Sequence, residues 1–348
     1  MQIVNPKLLL IYTGGTIGMI RDYQTNALKA FDFESIRDKI PELQLLDCQL
    51  ESVSFDKPID SSDMNPDHWR KIAEIIEESY DDLDGFVVLT GTDTMSYTAS
   101  ALSFMLEHLD KPVIFTGSQL PIGDLRTDAK ENLITAIQVA SAHANGRPRV
   151  REVGLYFEYK LYRANRTTKV SSEQFEAFES PNFPQLAESG LHLTFNEDAL
   201  LRSDVSESGR KLTVRKEMSS DVVILKLFPG ITETVVSHIL GIPGLKGVIL
   251  ETYGAGNAPT EPWFLKRLSQ AIVQGIKVVN VTQCTSGSVL LGLYATSSGL
   301  KKMGVIDGKD ITTESALAKL RYLLTFGFSK EEFRTHFERP LRGELSEF

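Results

Sequence analysis

Two threonines, each set in a glycine-containing turn, are the residues of this sequence best placed to do chemistry. Thr16 follows the apolar residues 8–12 in the sequence Thr-Gly-Gly-Thr, and Thr92 follows the apolar residues 86–89 in Thr-Gly-Thr-Asp. A threonine hydroxyl can attack a carbonyl carbon, but it is a weak nucleophile that needs a base beside it. One threonine alone explains little, whereas two of them, with the carboxylate of Asp93 directly after the second, indicate a site for nucleophilic catalysis.

The strands before these turns decide whether the two hydroxyls meet. Short apolar runs that stop at a glycine turn are typical of buried parallel strands. Parallel strands of one sheet end on the same side, and open α/β sheets bind small molecules at that edge. We therefore expect Thr16 and Thr92 to face one crevice. Gly14, Gly15 and Gly18 permit positive φ there and let backbone amides approach a ligand.

Strand and helix patterns alternate along the chain. Residues 113–115 and 154–157 are predicted to be further buried strands, and residues 128–144 a helix with one apolar face. Asn65 is predicted to cap one helix and Ser96 the next. This alternation predicts an α/β fold with a doubly wound, mostly parallel sheet.

The chain of 348 residues is longer than a usual single domain. Residues 196–216 interrupt the pattern with serine, charge and glycine, which is typical of a linker. We therefore predict an N-terminal α/β catalytic domain over residues 1–195 and a smaller C-terminal α/β domain over residues 217–348. Ser329 and Glu332 predict a capping box at the start of the last helix.

Composition narrows the class of protein. A net charge of −9 argues against a general nucleic-acid or membrane surface, because phosphate binding needs clustered positive charge. Cys48 and Cys284 are too few for a disulfide framework, and no Cys or His spacing indicates zinc. The N-terminus lacks the pattern of a signal peptide, and no apolar run approaches the ~20 residues of a membrane span. We therefore expect a cytoplasmic protein.

Other interpretations of the turn at Thr16 stay open at this point. Glycine-rich turns after a first strand are common in α/β folds, so the stretch alone fits an ordinary strand-to-helix turn as well as a reactive site. A dinucleotide or nucleoside triphosphate site is disfavoured, because the turn has neither the G-x-G-x-x-G nor the G-x-x-x-x-G-K-[ST] spacing.

Two motifs together resemble the signatures of a known family. TGGTIG at 13–18 and GTDTM at 91–95 are similar to the paired signatures of the bacterial asparaginase family, which hydrolyses L-asparagine to L-aspartate and ammonia. Further stretches look like the cytoplasmic, type I branch of that family, and they extend from about residue 8 to about residue 345: DSSDMNPDHW, LYRANRTTK, YGAGNAP, TQCTSG and LRGEL. The resemblance covers nearly the whole chain.

The resemblance implies how these residues would share the catalytic work. Lys169 corresponds to the family's active-site lysine, which pairs with the second threonine and its aspartate, here Thr92 and Asp93. Without the family, Lys169 would be interpreted as a solvated charge in a basic segment. The family also supplies a tyrosine from the loop after the first threonine. Tyr23 is the tyrosine available there, while Ala27 stands where related type I sequences carry theirs.

The resemblance also implies the residues that bind the substrate. Asp60, Ser61 and Ser62 correspond to residues that hold the amino-acid end of the substrate, with a capping serine cluster before a helix as the alternative. The implied set is completed by residues of three turns: Gly15, Gly91 and Ser118.

Oligomerisation and regulation enter only through the resemblance. Asn257 corresponds to an asparagine that approaches a neighbouring subunit's active site, so a homodimer or homotetramer is implied. A left-handed loop conformation is the alternative explanation for Asn257. Some type I enzymes bind a second, allosteric asparagine near the positions of Thr168 and Cys284. This chain departs from its relatives in having Glu251 in place of an arginine and Thr90 in place of a histidine.

These assignments predict hydrolysis of a small-molecule amide through an acyl-enzyme, with no metal or organic cofactor. We favour Thr16 as the first nucleophile, and Thr92, with Lys169 as base, as the group that activates water. The backbone amides of Gly15 and Thr92 would hold the carbonyl oxygen. Two alternatives stay open: a non-catalytic amino-acid sensor with the same pocket, and the asparaginase-like subunit of an archaeal glutamyl-tRNA amidotransferase, which carries an extra N-terminal domain.

Overall fold

The computed structural model divides the chain into two compact units, residues 1–216 and residues 217–348. It describes residues 5–21, 28–30, 40–202, 210–292 and 295–347. Within these ranges, no helix is long and apolar enough to cross a membrane.

An eight-stranded mixed sheet forms the centre of the first unit. Its strands are β1 (Lys7–Gly14), β2 (Gln49–Ile59), β3 (Gly85–Leu89), β4 (Val113–Thr116), β5 (Val153–Phe157), β6 (Lys160–Arg163), β7 (Ala187–Ser189) and β8 (Leu193–Phe195). In space they have the order β8-β7-β6-β5-β4-β3-β1-β2. The neighbours from β2 to β5 are parallel, and β6 to β8 continue the sheet antiparallel. The α/β fold and its parallel sheet are confirmed, and the antiparallel edge is an addition.

The order of the parallel strands reverses between β1 and β3. In a sheet of order 2-1-3-4-5, this reversal opens a crevice at the carboxyl ends of the two strands. β1 and β3 pair in parallel from Leu8 with Gly85 to Tyr12 with Leu89. All of β3 is buried, as expected for a central strand covered on both faces. The two predicted threonine turns therefore follow the strands that flank the crevice.

Three α-helices belong to the described part of the first unit: α1 (Pro66–Ser79), α2 (Met95–Met105) and α3 (Ala129–Ser141). Asn65 caps α1 as predicted, because its side chain accepts hydrogen bonds from the amides of Asp67 and His68. The predicted cap of α2 is wrong. That helix begins after Thr94, and Ser96 lies inside its first turn, where it is 3% exposed.

Short strand pairs complete the first unit. Thr213–Val214, at the end of the predicted linker, pairs with Leu106–Glu107. Beside this pair, Arg215 Nε donates to Glu107 Oε1 at 3.1 Å. Lys216 Nζ lies 2.8 Å from Glu77 Oε2 on α1. This part of the chain is therefore an edge of the first unit. The pairs are Met19–Arg21 with Leu28–Ala30, Leu106–Glu107 with Thr213–Val214, His143–Ala144 with Arg147–Pro148, and Thr168–Lys169 with Phe178–Glu179.

A four-stranded parallel sheet forms the centre of the second unit. Its strands are β9 (Val222–Lys226), β10 (Gly247–Thr252), β11 (Lys277–Thr282) and β12 (Ile306–Asp307), and they lie side by side in this order. The described helices of this unit are α4 (Glu233–Leu240), α5 (Pro262–Val273), α6 (Ala295–Met303), α7 (Thr313–Leu323) and α8 (Lys330–Glu338). The predicted capping box of Ser329 and Glu332 is confirmed at the start of α8.

A buried ion pair fixes the C-terminal stretch LRGEL to α7. Lys319 and Glu344 are both 0% exposed and contact each other through their charged groups. The Lys319 ammonium also donates to two backbone carbonyls, 2.7 and 2.6 Å away. Glu344 Oε2 accepts from the amides of Leu341 and Arg342, at 3.0 and 2.7 Å. Each buried charge therefore has several partners, which compensate for its removal from water.

Candidate active site

Two glycines bring the turns after β1 and β3 into contact. Gly15 has a φ of +88°, and a Cβ atom added to it would lie 2.4 Å from the amide nitrogen of Gly91. Glycine alone fits this conformation and this close approach. A Cβ atom on Gly91 would lie 2.6 Å from Ser61 Oγ. The turns that carry Thr16, Thr92 and Ser61 therefore pack against one another at the carboxyl ends of β1, β3 and β2.

Thr16 opens a short 3-10 turn, Thr16–Gly18, directly after Gly15. The turn is closed by a hydrogen bond of 3.3 Å from the Gly18 amide to the Gly15 carbonyl. Ile17 is fully buried in the core, whereas Thr16 is half-buried. Ile17 thus anchors the turn, and Thr16 stands at the edge of the sheet as the strand pattern predicts.

Thr92, Asp93 and Lys169 contact one another. Lys169 Nζ lies 2.8 Å from Thr92 Oγ1 and 2.6 Å from Asp93 Oδ1. Thr92 is 8% exposed, while the Asp93 side chain is 67% exposed. An amine beside a hydroxyl and a carboxylate can exchange a proton with one and be oriented by the other. The three predicted residues are therefore together, although Lys169 is distant from the other two in sequence.

Gln119 joins this group, and the sequence patterns did not identify it. Its Oε1 lies 3.3 Å from Thr92 Oγ1, and its Nε2 donates to the carbonyl of Gln174 at 3.0 Å. An ammonium can only donate, so Thr92 accepts from Lys169 and directs its own proton to Gln119. Gln119 follows β4, so the strand-end argument that identified Thr16 applies to it as well.

The turn that carries Ser118 and Gln119 is held by the start of α3. Asp128 accepts hydrogen bonds from the backbone amides of Gln119 at 2.9 Å and Leu120 at 3.1 Å. Asn132, one helical turn later, donates at 3.1 Å to the carbonyl that precedes Ser118. The Ser118 hydroxyl donates to the Leu120 carbonyl at 2.6 Å. The turn is therefore fixed from α3, and Ser118 bonds within its own turn.

Asp60 and Ser62 form a hydrogen-bonded turn at the end of β2. Asp60 Oδ1 accepts from the Ser62 amide at 2.9 Å and from its hydroxyl at 2.8 Å. These bonds, the backbone one first, hold the pKa of Asp60 below its ordinary value. The Ser61 carbonyl accepts from the Thr94 hydroxyl at 2.7 Å, which ties this turn to the start of α2. An ionised carboxylate is thus fixed beside the contact of Ser61 with Gly91.

Glu158 adds a titratable carboxyl at the end of β5. Its φ is +42°, and its amide donates to Asn132 Oδ1 at 3.0 Å. Burial, and then the charges of Asp128, Glu131 and Glu176, raise the pKa of Glu158 to about 7. The carboxyl therefore changes charge near neutral pH. Among the residues that the structure describes, no group of three or more His, Cys, Asp or Glu could hold a metal ion.

Asn257 belongs to the second unit, in a tight turn after β10. Its backbone pairs with Tyr253 through hydrogen bonds of 2.9 and 2.8 Å. The positive φ angles of this turn fall on Gly254 and Gly256. The alternative explanation of Asn257 by a left-handed conformation is therefore wrong, and its part in a neighbouring subunit's site stays a prediction.

The two residues of the implied allosteric site belong to different units of the fold. Thr168 is half-buried in the first unit, and Cys284 is exposed in the second, so their pairing in one site stays a prediction. Glu251, which we expect to stand in place of an arginine, accepts a hydrogen bond of 2.7 Å from the Thr313 hydroxyl. Tyr23, the predicted tyrosine of the loop, lies outside the described residues.

Family models match both parts of the chain. The model of the asparaginase N-terminal domain matches residues 7–201, and that of the glutaminase/asparaginase C-terminal domain matches residues 221–337. The chain is 44% identical over 342 residues to L-asparaginase 1 of Escherichia coli, which covers 98% of both sequences. It is also 32% identical to one subunit of the glutamyl-tRNA(Gln) amidotransferase of Pyrococcus abyssi, over 99% of this chain and 77% of that subunit.

A solved structure with the same fold supports the match. The crystal structure of L-asparaginase I from Vibrio cholerae has a TM-score of 0.88 and 40% identity, over 98% of this chain and 99% of that one. The predicted resemblance to the type I branch is confirmed by these relatives. The two matched models span most of the chain, and so the protein is an enzyme of the asparaginase family.

Proposed function

We propose that this protein hydrolyses the side-chain amide of L-asparagine to give L-aspartate and ammonia, through an acyl-enzyme formed on a threonine. The observation that carries the proposal is the contact of Lys169 Nζ with Thr92 Oγ1 and Asp93 Oδ1, at 2.8 and 2.6 Å. The name of the Escherichia coli relative, L-asparaginase 1, supports asparagine as the substrate.

In the first step, the Thr16 oxygen attacks the amide carbon of the substrate. The proton of the Thr16 hydroxyl passes to the amide nitrogen, with the Tyr23 hydroxyl as the proposed relay. The carbon–nitrogen bond then breaks, ammonia leaves, and the aspartyl group stays on Thr16 as an ester. The backbone amides of Gly15 and Thr92 hold the carbonyl oxygen as it becomes negative, and each donor of this kind contributes about 2.7–4 kcal/mol.

In the second step, water hydrolyses the ester. Once the Lys169 ammonium has released a proton to solvent, the neutral amine takes a proton from the Thr92 hydroxyl, which takes one from the attacking water. The water oxygen bonds to the carbonyl carbon, the ester bond breaks, and a proton returns to Thr16. In the resting arrangement the Thr92 proton is directed to Gln119 and away from Lys169, which favours Thr16 for the first attack.

The charged ends of the substrate have suitable partners at this edge of the sheet. The Asp93 carboxylate, whose side chain is 67% exposed, can bind the α-ammonium. Ser61 and Ser62 lie in the short turn Ser61–Asp63 that precedes α1, where their hydroxyls can rotate to donate to the α-carboxylate. Ser118 and Gly91 complete the proposed binding surface.

Ammonia release from L-asparagine and L-glutamine by the purified protein tests the proposal. We expect turnover of L-asparagine, and a loss of at least a thousandfold in Thr16→Ala, Thr92→Ala and Lys169→Met. Thr335→Ala is the matched control, because this exposed hydroxyl on α8 donates only within its own helix. Turnover that survives in Thr16→Ala or Thr92→Ala contradicts the threonine mechanism. Binding of L-asparagine by calorimetry without any ammonia supports the amino-acid sensor.

The subunit of a tRNA-dependent amidotransferase is a second candidate, favoured by the identity of 32% to the Pyrococcus abyssi protein. The match leaves about a quarter of that protein uncovered. Two assays distinguish these candidates: transamidation of glutamyl-tRNA(Gln), and ammonia release from L-asparagine measured with and without that tRNA. Ammonia release that needs no tRNA supports the free asparaginase.

We also propose that the protein works in the cytoplasm as a homodimer or homotetramer, without nucleic acid or membrane partners. The net charge of −9 supports the last point. Light scattering should give two or four chains per particle, and a monomer that is fully active contradicts the oligomer.

A sigmoidal dependence of rate on L-asparagine that becomes hyperbolic in Thr168→Ala or Cys284→Ala tests the proposed allosteric site.

A further inference from the structure

A buried contact between two hydroxyls joins the segments that carry Thr92 and Lys169. Thr167 Oγ1 and Ser96 Oγ are 3.0 Å apart, and these residues are 0% and 3% exposed. Thr167 is two residues before Lys169, and Ser96 is four residues after Thr92. The lysine side chain is long and flexible, so its ammonium is held at one place only if its backbone is fixed. The hydroxyl contact is placed to do so.

The other hydrogen bond of Thr167 defines which hydroxyl donates. Thr167 Oγ1 lies 2.7 Å from the carbonyl oxygen of Ala164, which can only accept. Thr167 has one proton, and this proton goes to Ala164. Ser96 must therefore donate to Thr167. Ser96 does not cap its helix, and its hydroxyl is used instead across the boundary between α2 and the segment of Lys169.

The chain before Thr167 is itself firmly anchored. Residues 164–166 form a buried 3-10 turn that packs against α2. Arg163, directly before it, forms a buried ion pair with Glu152, with Nε and Oε2 2.6 Å apart. On its other side, Lys169 pairs with Phe178 in a short antiparallel strand pair, and the chain becomes exposed at residues 172–174. Thr167 is thus the last buried side chain before Lys169 on the side of the anchored turn.

We propose that Ser96 and Thr167 are positioning residues that fix the backbone of Lys169 relative to Thr92, and so keep the amine within reach of the hydroxyl during the reaction. Neither touches the substrate. The inference rests on the proposed function, because the distance matters only if Lys169 exchanges a proton with Thr92. It adds to that function a pair of buried hydroxyls that act through Lys169.

Thr167→Val keeps the shape of the side chain and removes the hydroxyl, and Ser96→Ala removes the donor. We expect kcat for ammonia release to fall about 10- to 100-fold in each, since misplacement by a fraction of an ångström is costly in catalysis. KM for L-asparagine should stay within about twofold, because the turns at Gly15 and Asp60 are untouched. Thr167→Ser, which returns the hydroxyl, should restore kcat.

The double variant tests whether the two hydroxyls act as one unit. We expect it to lose no more kcat than the more impaired single variant, because either change breaks the same contact. Losses that multiply would overturn the proposal. Thr167→Val should lower Tm more than Ser96→Ala, since it leaves the Ser96 proton and the Ala164 carbonyl unpaired. Ser96→Ala is therefore the variant to rely on if Thr167→Val does not fold.

Ser103→Ala is the matched control on the same helix. Its hydroxyl is 5% exposed and donates to the Ala99 carbonyl at 2.9 Å, within α2. This variant should lower Tm about as much as Ser96→Ala and leave kcat unchanged. An equal loss of kcat in Ser103→Ala, or full kcat in folded Ser96→Ala, would overturn the inference. A wild-type protein that releases no ammonia would instead refute the proposed function, before any variant is compared.

Discussion

Removing the buried charge of Lys319 should destabilise the second unit strongly. Lys319→Met keeps the length of the side chain, but it leaves Glu344 as a fully buried carboxylate without its counter-charge. Two backbone carbonyls, 2.7 and 2.6 Å from the ammonium, also lose their donor. Breaking a buried ion pair by removing one partner costs about 3–5 kcal/mol.

The expected loss of stability in Lys319→Met can be narrowed from the hydrogen bonds that Glu344 keeps. Glu344 keeps the amides of Leu341 and Arg342, so its charge stays partly compensated, and we expect a loss of about 3–4 kcal/mol. For a unit of this size, 1 kcal/mol shifts Tm by about 3–5 °C, so Tm should fall by about 10–20 °C. Glu344→Gln added to Lys319→Met should recover at least half of this loss, because no buried charge remains and the amide oxygen still accepts from the backbone.

Thermal unfolding, followed by tryptophan fluorescence, measures this loss in the second unit. The sequence has two tryptophans, and Trp69→Phe leaves Trp263 on α5 as the reporter. Lys302→Met, an exposed lysine on α6, is the matched control and should change Tm by less than about 1 °C. The reasoning is refuted if Lys319→Met unfolds within about 2 °C of the wild type, or if the double variant is no more stable than the single one.

Three further predictions concern the edge of the sheet at the candidate site. The pKa of Glu158 in the folded protein is about 7, above its ordinary 4.5. The free energy of unfolding should therefore fall as pH rises from about 4.5 to about 7, by about 1–2 kcal/mol, which is less than the full shift implies because the carboxyl is partly exposed to solvent. Glu158→Gln should lack this loss in urea unfolding at pH 5 and pH 8. Asp128→Asn turns an amide donor towards the Gln119 and Leu120 amides, and it should cost about 1–3 kcal/mol of stability by calorimetry. Gly91→Ala drives a methyl group against a serine hydroxyl and should lower kcat/KM for ammonia release about a hundredfold.

Matched variants separate these effects from general damage. Glu173→Gln, at an exposed glutamate, should keep the pH dependence that Glu158→Gln removes. Asp198→Asn, at an exposed aspartate, should leave stability unchanged. Gly190→Ala should be silent, because a Cβ atom there would meet nothing within 4 Å. Wild-type behaviour in Glu158→Gln, Asp128→Asn or Gly91→Ala would contradict the corresponding argument.

The strands of the parallel sheet and the threonines at their ends could be predicted because each step has a local cause. An apolar run that stops at a glycine indicates a buried strand and its carboxyl end, and one edge of the sheet collects those ends. Lys169 has no such local signal. It follows an irregular turn in a basic stretch, and its place beside Thr92 depends on how residues 164–166 pack against α2. The family resemblance identified it, and the residues alone did not.

Other features escaped because their causes are tertiary. Strands β6 to β8 are three or four residues long, too short for a periodic pattern to distinguish them from loops. Ser96 has the residue type of a helix cap, but the buried Thr167 competes for its hydroxyl and the helix begins earlier. Gln119 is an ordinary polar residue in sequence and gains its importance from the turn that Asp128 fixes.

Because Gly15 and Gly91 touch, the separation of the two threonine turns is set by the spacing of two adjacent strands, about 4.7–4.9 Å. The sheet therefore fixes the distance between the two catalytic turns. Under the proposed mechanism, the substrate carbonyl reacts first with Thr16 after one strand and then with a water molecule activated by Thr92 after the next strand. It stays in place between the two steps, so no mobile segment has to carry it from one group to the other. The backbone pairing of β1 with β3, which forms in every folded molecule, then aligns the groups for both steps of the reaction.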